Sequence, residues 1–288
     1  EHFDLKAMRH NSPAYIHTVI EALKLSMADR QAHYGDPEFS TIPIDGLVSK
    51  EYASERATLI DPAKAHPEMP PSGDPWRFSK LSGAPAATAP APAATGGDGA
   101  DSDSGTTHVA VLDRDGNMVC ATPSGGRLSG TVFFPELGCT ISTRSEMFNF
   151  VEGHPNELVP GKRPRTTLVN YIVSEGGRPI MTVGCPGGDM QAQANVQLML
   201  NTLMFGMNPQ EAIEAPRFGS RSVPDSFYPH VYHPGRLELE PGVSSETAES
   251  LRALGHEVVR SDNCGLGATV ARRDPESGVM SVGGDPRR

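Results

Sequence analysis

From Ser12 onward the apolar residues Ile16, Val19, Ile20, Leu23 and Met27 recur every three or four positions. They follow an N-capping serine and Pro13, which predicts an amphipathic helix stopped near Gly35. A second helix is expected from Ser49-Lys50-Glu51 to about Leu59, between the turn-like Ile44-Asp45-Gly46 and Asp61-Pro62. From Ser82 to Gly105 the chain holds no large apolar residue, so it cannot bury enough to offset its ordering entropy, and a mobile tether is expected. The pattern then turns to strands. Thr107 to Leu112 and Met118 to Thr122 flank the turn Asp113-Arg114-Asp115-Gly116-Asn117 as a hairpin, and Leu168 to Val173 pairs with Pro179 to Val183. A late strand pair surrounds Asp274-Pro275-Glu276-Ser277-Gly278. Helices are expected from about Asp189 to Phe205 with Gly206 closing, after Asn208-Pro209, and from about Ser244 to Leu254. Strands in pairs and helices in pairs predict a layered α+β architecture.

Composition narrows the function classes. A net charge of -10, without a Lys/Arg run, argues against nucleic acid or an anionic membrane as partner. No apolar stretch approaches the roughly 20 residues that cross a bilayer, and Glu1-His2-Phe3-Asp4 has none of the features of a signal peptide. Cys120, Cys139, Cys185 and Cys264 have neither metal-ligand nor disulfide-framework spacing, so buried thiols are expected. The ten histidines form no metal-binding motif, and no metal or cofactor is expected.

Two places carry candidate chemistry. A threonine hydroxyl is a poor nucleophile until a base takes its proton, and a threonine at a free N-terminus can use its own α-amine. Thr106 is internal, so the Gly105-Thr106 bond would have to be cleaved first, and the Gly/Ser/Asp-rich tether before it would let the new terminus separate. The run Gly184-Cys185-Pro186-Gly187-Gly188 follows a strand and opens a helix. Its glycines allow close backbone approach, and the helix start offers unpaired N–H groups to an oxyanion.

Taken in order, Thr106-Thr107-His108, Asp113 to Asn117, Pro160-Gly161-Lys162-Arg163-Pro164, Gly184 to Gly188, Ala215-Pro216-Arg217-Phe218 and Gly284-Asp285-Pro286-Arg287 resemble the small subunit of the gamma-glutamyltransferases. Upstream, His10-Asn11-Ser12, Ala28-Asp29-Arg30 and Tyr34-Gly35-Asp36-Pro37 are similar to the end of that family's large subunit. The resemblance implies an N-terminal-nucleophile hydrolase fold, a four-layer αββα sandwich, and a reaction through an acyl-enzyme. It divides the chain into a helical large-subunit-like segment at 1–81, a linker at 82–105 ending at the self-cleavage site, and a catalytic small-subunit-like segment at 106–288. Thr106 is then the nucleophile, Ser124 a hydroxyl beside it, and Gly187 and Gly188 the oxyanion donors. Thr166 and Thr167 stand where the family holds the substrate carboxylate, and Glu146 and Asn149 where it holds the α-ammonium. The expected partners are a small amide substrate and the remainder of the large subunit. The compartment, periplasmic or secreted against cytoplasmic, stays open because the front of the family's large subunit, with any signal peptide, is expected to be missing here.

Two departures bear on the substrate. Asn149 replaces an Asp and Gly126 replaces an Asn, so a charge-assisted contact to an ammonium becomes a weaker neutral one. Three readings follow: cleavage of γ-glutamyl amides such as glutathione; cleavage of an acyl amide without an α-amine, such as a glutaryl-cephalosporin or small dicarboxylic monoamide; or an inactive homologue that never matures.

Overall fold

The computed structural model describes residues 1–83, 104–127, 131–262, 264–265 and 267–287. Most of the expected tether, residues 84–103, lies outside these. Helix α1 (Pro13–His33) is capped by Ser12, whose hydroxyl accepts from the Tyr15 N–H. A single turn α2 (Ile44–Leu47) and α3 (Lys50–Ala57), capped by Ser49, complete the helices of the first segment. Gly35 does not stop α1 as a left-handed cap. The C-cap is Tyr34 in extended conformation, and Gly35 is small because the Pro155 carbonyl would lie 1.9 Å from any Cβ there.

Strand β1 (Ser104–Thr106) precedes the expected hairpin β2 (Val109–Leu112) and β3 (Met118–Ala121). Then come β4 (Ser124–Arg127), a short ribbon of β5 (Phe133–Phe134) with β6 (Cys139–Thr140), and β7 (Tyr171–Glu175) with β8 (Arg178–Gly184). Helix α4 (Met190–Met199) runs directly into a widened π turn at Leu200–Met204 before Gly206, which adopts φ +72°. After α5 (Pro209–Glu214), capped by Asn208 and Glu211, follow β9 (Phe218–Ser220), β10 (Arg236–Leu239), α6 (Ser245–Ala253), β11 (Glu257–Arg260), β12 (Thr269–Arg273) and β13 (Met280–Gly284).

Two cores result. In the first, β13-β12-β8-β7 form an antiparallel sheet with α4 and α5 on one face and the β2–β3 hairpin against the other. Ile180, Met181, Val183, Ala194, Leu198 and Val270 fill it. In the second, the sheet β11-β10-β9 joins α1 and α6, burying Tyr15, Ile16, Ile20, Phe218, Leu237, Leu239 and Leu251. Helix α4 serves both, since Ala194 and Leu198 face the first core while Val196 and the following Leu200 pack on the second. The mixed helix and sheet arrangement is the expected α+β class. The expectation of buried thiols holds for Cys185 and Cys264 but not for the rest: Cys139 is exposed and Cys120 half-buried, because both lie on short strands with one open face.

The polar side of α1 is buried as well as its apolar stripe. Lys24 donates to the His66 carbonyl and pairs with Glu21 at 2.6 Å, Glu21 accepts the His66 N–H, and Asp29 accepts the Gly73 N–H. The His17 and His256 rings meet at 2.9 Å. Burial, with the charge of Lys24 and the neighbouring His17, pulls His256 down to about 3, and burial lowers His10 and His154 also. These imidazoles fold neutral, whereas the unfolded chain protonates them near pH 6.5. Their contribution to stability is therefore complete above that value and lost as pH falls below it, at about 1.4 kcal/mol per pH unit for one such group. Urea unfolding at pH 7.5, 6 and 5 is expected to show this decline, and His256→Gln to flatten it; an equal slope in the variant would disprove the assignment.

Candidate active site

Thr106 closes β1, and its partner across the antiparallel ladder is Ser124, the first residue of β4. That register sets the two hydroxyls 2.7 Å apart. Ser124 also accepts a hydrogen bond from Arg144 Nη2 at 2.6 Å, and Arg144 Nη1 donates to Thr167 Oγ1 at 3.0 Å. Arg144 belongs to the 3₁₀ turn Thr143–Met147, and its guanidinium stacks over Phe227 at 5.1 Å from the ring centroid. Burial draws the Arg144 pKa downward while Asp189 opposes the shift; an arginine nonetheless stays cationic at neutral pH. Thr106, Ser124, Arg144 and Thr167 thus form one continuous chain of hydrogen bonds.

The glycine pair lies at the mouth of α4. Gly187 and Gly188 adopt φ +124° and +54°, conformations that favour glycine, and their carbonyls accept from Met190 N–H and Gln191 N–H to begin the helix. Gln191 is buried in that first turn. With its amide nitrogen turned to donate, it reaches the carbonyls of Thr167 and Cys185 at 3.3 Å each, so the glycine turn and the Thr167 segment are held together. Gly184 is as tightly constrained: a Cβ there would lie 2.0 Å from the His108 ring. His108 in turn contacts Thr122 Oγ1 at 2.8 Å, fixing the hairpin beside Thr106 against the end of β8.

Asp189, next after the glycines, is the electrostatic anchor. Its carboxylate meets Arg30 of α1 at 2.5 Å and accepts from the N–H and hydroxyl of Ser226 at 2.7 and 2.8 Å. Burial pushes this carboxyl up, but Arg30, Arg165 and Ser226 outweigh it and hold it below its ordinary value. Arg165, buried, is pulled down to about 9 by desolvation and by Arg30, and bonds Ser226 and Gln31. At the surface, Arg163 grips Asp36 with two side-chain bonds and one backbone bond.

The other sequence candidates are placed differently. Thr166 is exposed, and its hydroxyl accepts the Leu168 N–H at 3.0 Å. Asn149 Oδ1 accepts the Val151 N–H at 2.6 Å, closing a local turn. Glu146 has a buried carboxylate oxygen, Oε2, without a hydrogen-bond partner. Arg144, Asp189, Arg30 and Phe227 were not among the site candidates that the sequence offered. A lone arginine two positions before Glu146 gives no sign of its partners until the chain folds. For a metal, His17, Glu21 and His256 bring ligand atoms within 4.8 Å of one another. Lys24 is already bound to that carboxylate, and its ammonium disfavours a second cation there.

The family model for gamma-glutamyltranspeptidase matches residues 1–288. This chain belongs to the gamma-glutamyltranspeptidase family. Within the family it is 30% identical over 258 residues to a glutathione hydrolase proenzyme of Bacillus subtilis (strain 168), covering 89% of this chain and 41% of that one. It is 31% identical over 280 residues to the acylase ACY 1 proenzyme of Pseudomonas sp. (strain SE83), covering 96% and 43%. Among solved structures it superposes on a cephalosporin acylase from Bacillus halodurans with a TM-score of 0.75 at 28% identity, covering 96% of this chain and 44% of that chain. The chain therefore spans less than half the length of these relatives, and the N-terminal nucleophile hydrolase class expected of the fold is the one these transpeptidases and acylases share.

Replacing Asp189 with Asn removes the carboxylate that faces Arg30 and Arg165. Breaking a buried pair from one side costs about 3–5 kcal/mol. Chemical denaturation should show a loss of that order for Asp189→Asn, and a change below about 1 kcal/mol would contradict the anchor role.

Proposed function

We propose that this gamma-glutamyltranspeptidase-family chain is a threonine-nucleophile amide hydrolase or acyltransferase, with Thr106 as nucleophile after cleavage of the Gly105-Thr106 bond. The observation that carries the reading is the 2.7 Å contact between the Thr106 and Ser124 hydroxyls, in a chain of bonds that runs through the half-buried Arg144. Arg144 donates to the Ser124 oxygen, and the Ser124 hydroxyl in turn polarises that of Thr106. In the uncut chain the Thr106 nitrogen is an amide without basicity. Attack of Oγ1 on the Gly105 carbonyl forms an ester, breaks the C–N bond and passes the hydroxyl proton to the departing nitrogen. Water then hydrolyses the ester, leaving a free α-amine that serves as base in later turnovers.

In turnover, Oγ1 attacks the substrate carbonyl while the Gly187 and Gly188 N–H groups receive the developing oxyanion. The amine leaves with a proton, and water or a second amine resolves the acyl-enzyme. Residues 1–81 then act as the large-subunit-like segment, 82–105 as the linker and 106–288 as the catalytic segment. The remainder of the large subunit is the expected protein partner. Thr167 orients the acyl group, with Thr166, Glu146 and Asn149 as further substrate-facing candidates.

The γ-glutamyl amides are one substrate class that fits this constellation. One observation favours the second reading, an acyl group without an α-amine: the Asn149 side-chain oxygen is already spent on the Val151 N–H instead of waiting for an ammonium. Mass spectrometry of the full-length protein after incubation should find a new terminus at Thr106, and Thr106→Ala should abolish both this cleavage and all turnover of γ-glutamyl and glutaryl anilides. An intact Gly105-Thr106 bond in active wild-type protein would refute the mechanism. Ser124→Ala should slow both steps by about 10²-fold, the scale of one lost polar contact in the transition state.

A further inference from the structure

We infer that segment 61–73 is an acid-released strap, closed over α1 by the neutral His17–His256 pair and opened when that pair takes a proton. The inference is independent of the role of Thr106. The segment forms no regular helix or strand, and it is exposed at Asp61, Pro62, Lys64, Pro67, Glu68 and Pro71, with Ala65 and Pro70 its buried residues. Little apolar area therefore holds it down. What holds it is one polar face of α1, each side chain of which takes a backbone group of the strap. His17 Nε2 bonds the Asp61 carbonyl at 2.8 Å, Glu21 accepts the His66 N–H at 3.1 Å, and Lys24 donates to the His66 carbonyl at 2.7 Å. Farther along, Asp29 accepts the Gly73 N–H at 2.8 Å and His33 Nε2 bonds the Gly73 carbonyl at 3.1 Å.

The first of these bonds fixes the protons of the histidine pair. A carbonyl only accepts, so His17 Nε2 carries the hydrogen, its Nδ1 is a bare acceptor, and His256 Nε2 donates to it across 2.9 Å. A further proton has no counter-charge there. Glu21, the carboxylate of the cluster, is already paired with Lys24 at 2.6 Å, and that ammonium repels an imidazolium. The remaining charges of the neighbourhood are matched elsewhere: Asp29 with Arg56 at 3.2 Å, Glu249 with Arg252 at 2.8 Å and Glu257 with Arg236 at 3.7 Å. His66 turns its Nδ1 to the Glu68 carbonyl. The strap is also the roof of the pair, since the Ala65 N–H donates to the Leu254 carbonyl at 2.7 Å, two residues before His256. Lifting it hydrates both rings. His256 then returns from about 3 to the ordinary imidazole value near 6.5, so the open state binds a proton that the closed state refuses. Closure is at full strength above pH 6.5 and weakens about tenfold per pH unit below it, or roughly 30-fold by pH 5 for one such group. The opening is local, because the apolar stripe of α1 packs on the separate core with β9, β10 and α6.

Hydrogen exchange of the full-length protein, corrected for the intrinsic pH dependence of exchange, reads the strap through the amides of Ala65, His66, Met69 and Gly73, all of which donate to protein oxygens. Between pH 7.5 and 5 their protection should fall about 30-fold, while that of α1 and β10 holds. His256→Gln offers His17 an N–H without a titrating ring, and should remove most of the fall. Unchanged protection of the strap, an equal loss across strap, α1 and β10, or an undiminished fall in His256→Gln each overturns the inference. Where the variant does not fold, NMR of the histidine rings in wild type decides. His256 should stay neutral until strap protection is lost and protonate together with that loss; a protonated His256 beneath a fully protected strap overturns the inference.

Discussion

The contact on which the site depends is the buried ion pair between Arg30 at the end of α1 and Asp189 at the start of α4. It joins the helical first segment to the glycine turn that opens α4, and it does so where water is nearly absent. Burial alone would protonate Asp189, so the carboxylate exists because Arg30, Arg165 and Ser226 surround it. Such an arrangement is costly to desolvate and contributes little net stability over an apolar replacement. Its value is positional. Asp189 is held from three directions, and this fixes the end of the Gly187-Gly188 turn that precedes it.

The same logic runs through the contacts between the first segment and the rest. Arg163 on Asp36, Arg165 on Gln31, His154 on the Gln31 carbonyl and Asn11 on the Pro216 carbonyl are all polar and directional. Apolar packing between α1 and the β11-β10-β9 sheet supplies the driving force, and the polar contacts fix the register. A one-turn slip of α1 would leave Arg30, Glu21, Lys24 and Asp29 buried without partners, at several kcal/mol each.

Much of this was legible in the sequence because it is local. The Ser12 cap, the helix starts at Ser49 and after Asn208-Pro209, the Asp113 to Asn117 turn and the helix from about Ser244 to Leu254 depend on neighbours within a few residues, and the structure reproduces them. The β9, β10 and β11 strands were not foreseen. They are short, and β10 pairs in parallel with β11 across an intervening helix, so each takes its identity from residues far along the chain. The burial of the polar side of α1 was equally hidden, since an i, i+4 pattern of His17 and Glu21 reads as solvated until the 61–73 segment covers it. At the site, Thr106, Ser124 and Thr167 are linked through Arg144, whereas Thr166 and Asn149 satisfy their own backbone and Arg144 enters from a turn with no distinguishing pattern.

The hairpin that follows Thr106 carries a further constraint. Its inner residues lie against β8 and β12, where Cys120 and His108 meet the end of β8, yet Val109, Val111 and Val119 are 49, 52 and 59% exposed on the other side. A two-stranded ribbon is marginal when only one face is covered. Thr106 is attached directly to this ribbon, so the precision of the 2.7 Å contact with Ser124 depends on how firmly the ribbon sits. His108 is what holds it: the ring fills the space left by the absent Cβ of Gly184 and bonds Thr122 across the hairpin. Burial keeps that imidazole below its usual range and therefore neutral at pH 7, and since the Thr122 hydroxyl donates to Asn170 Oδ1, its oxygen accepts from the ring N–H. The histidine two residues after Thr106 thus acts through packing and a single hydrogen bond, and Thr106 inherits its position from the strand layer that this ring holds in place.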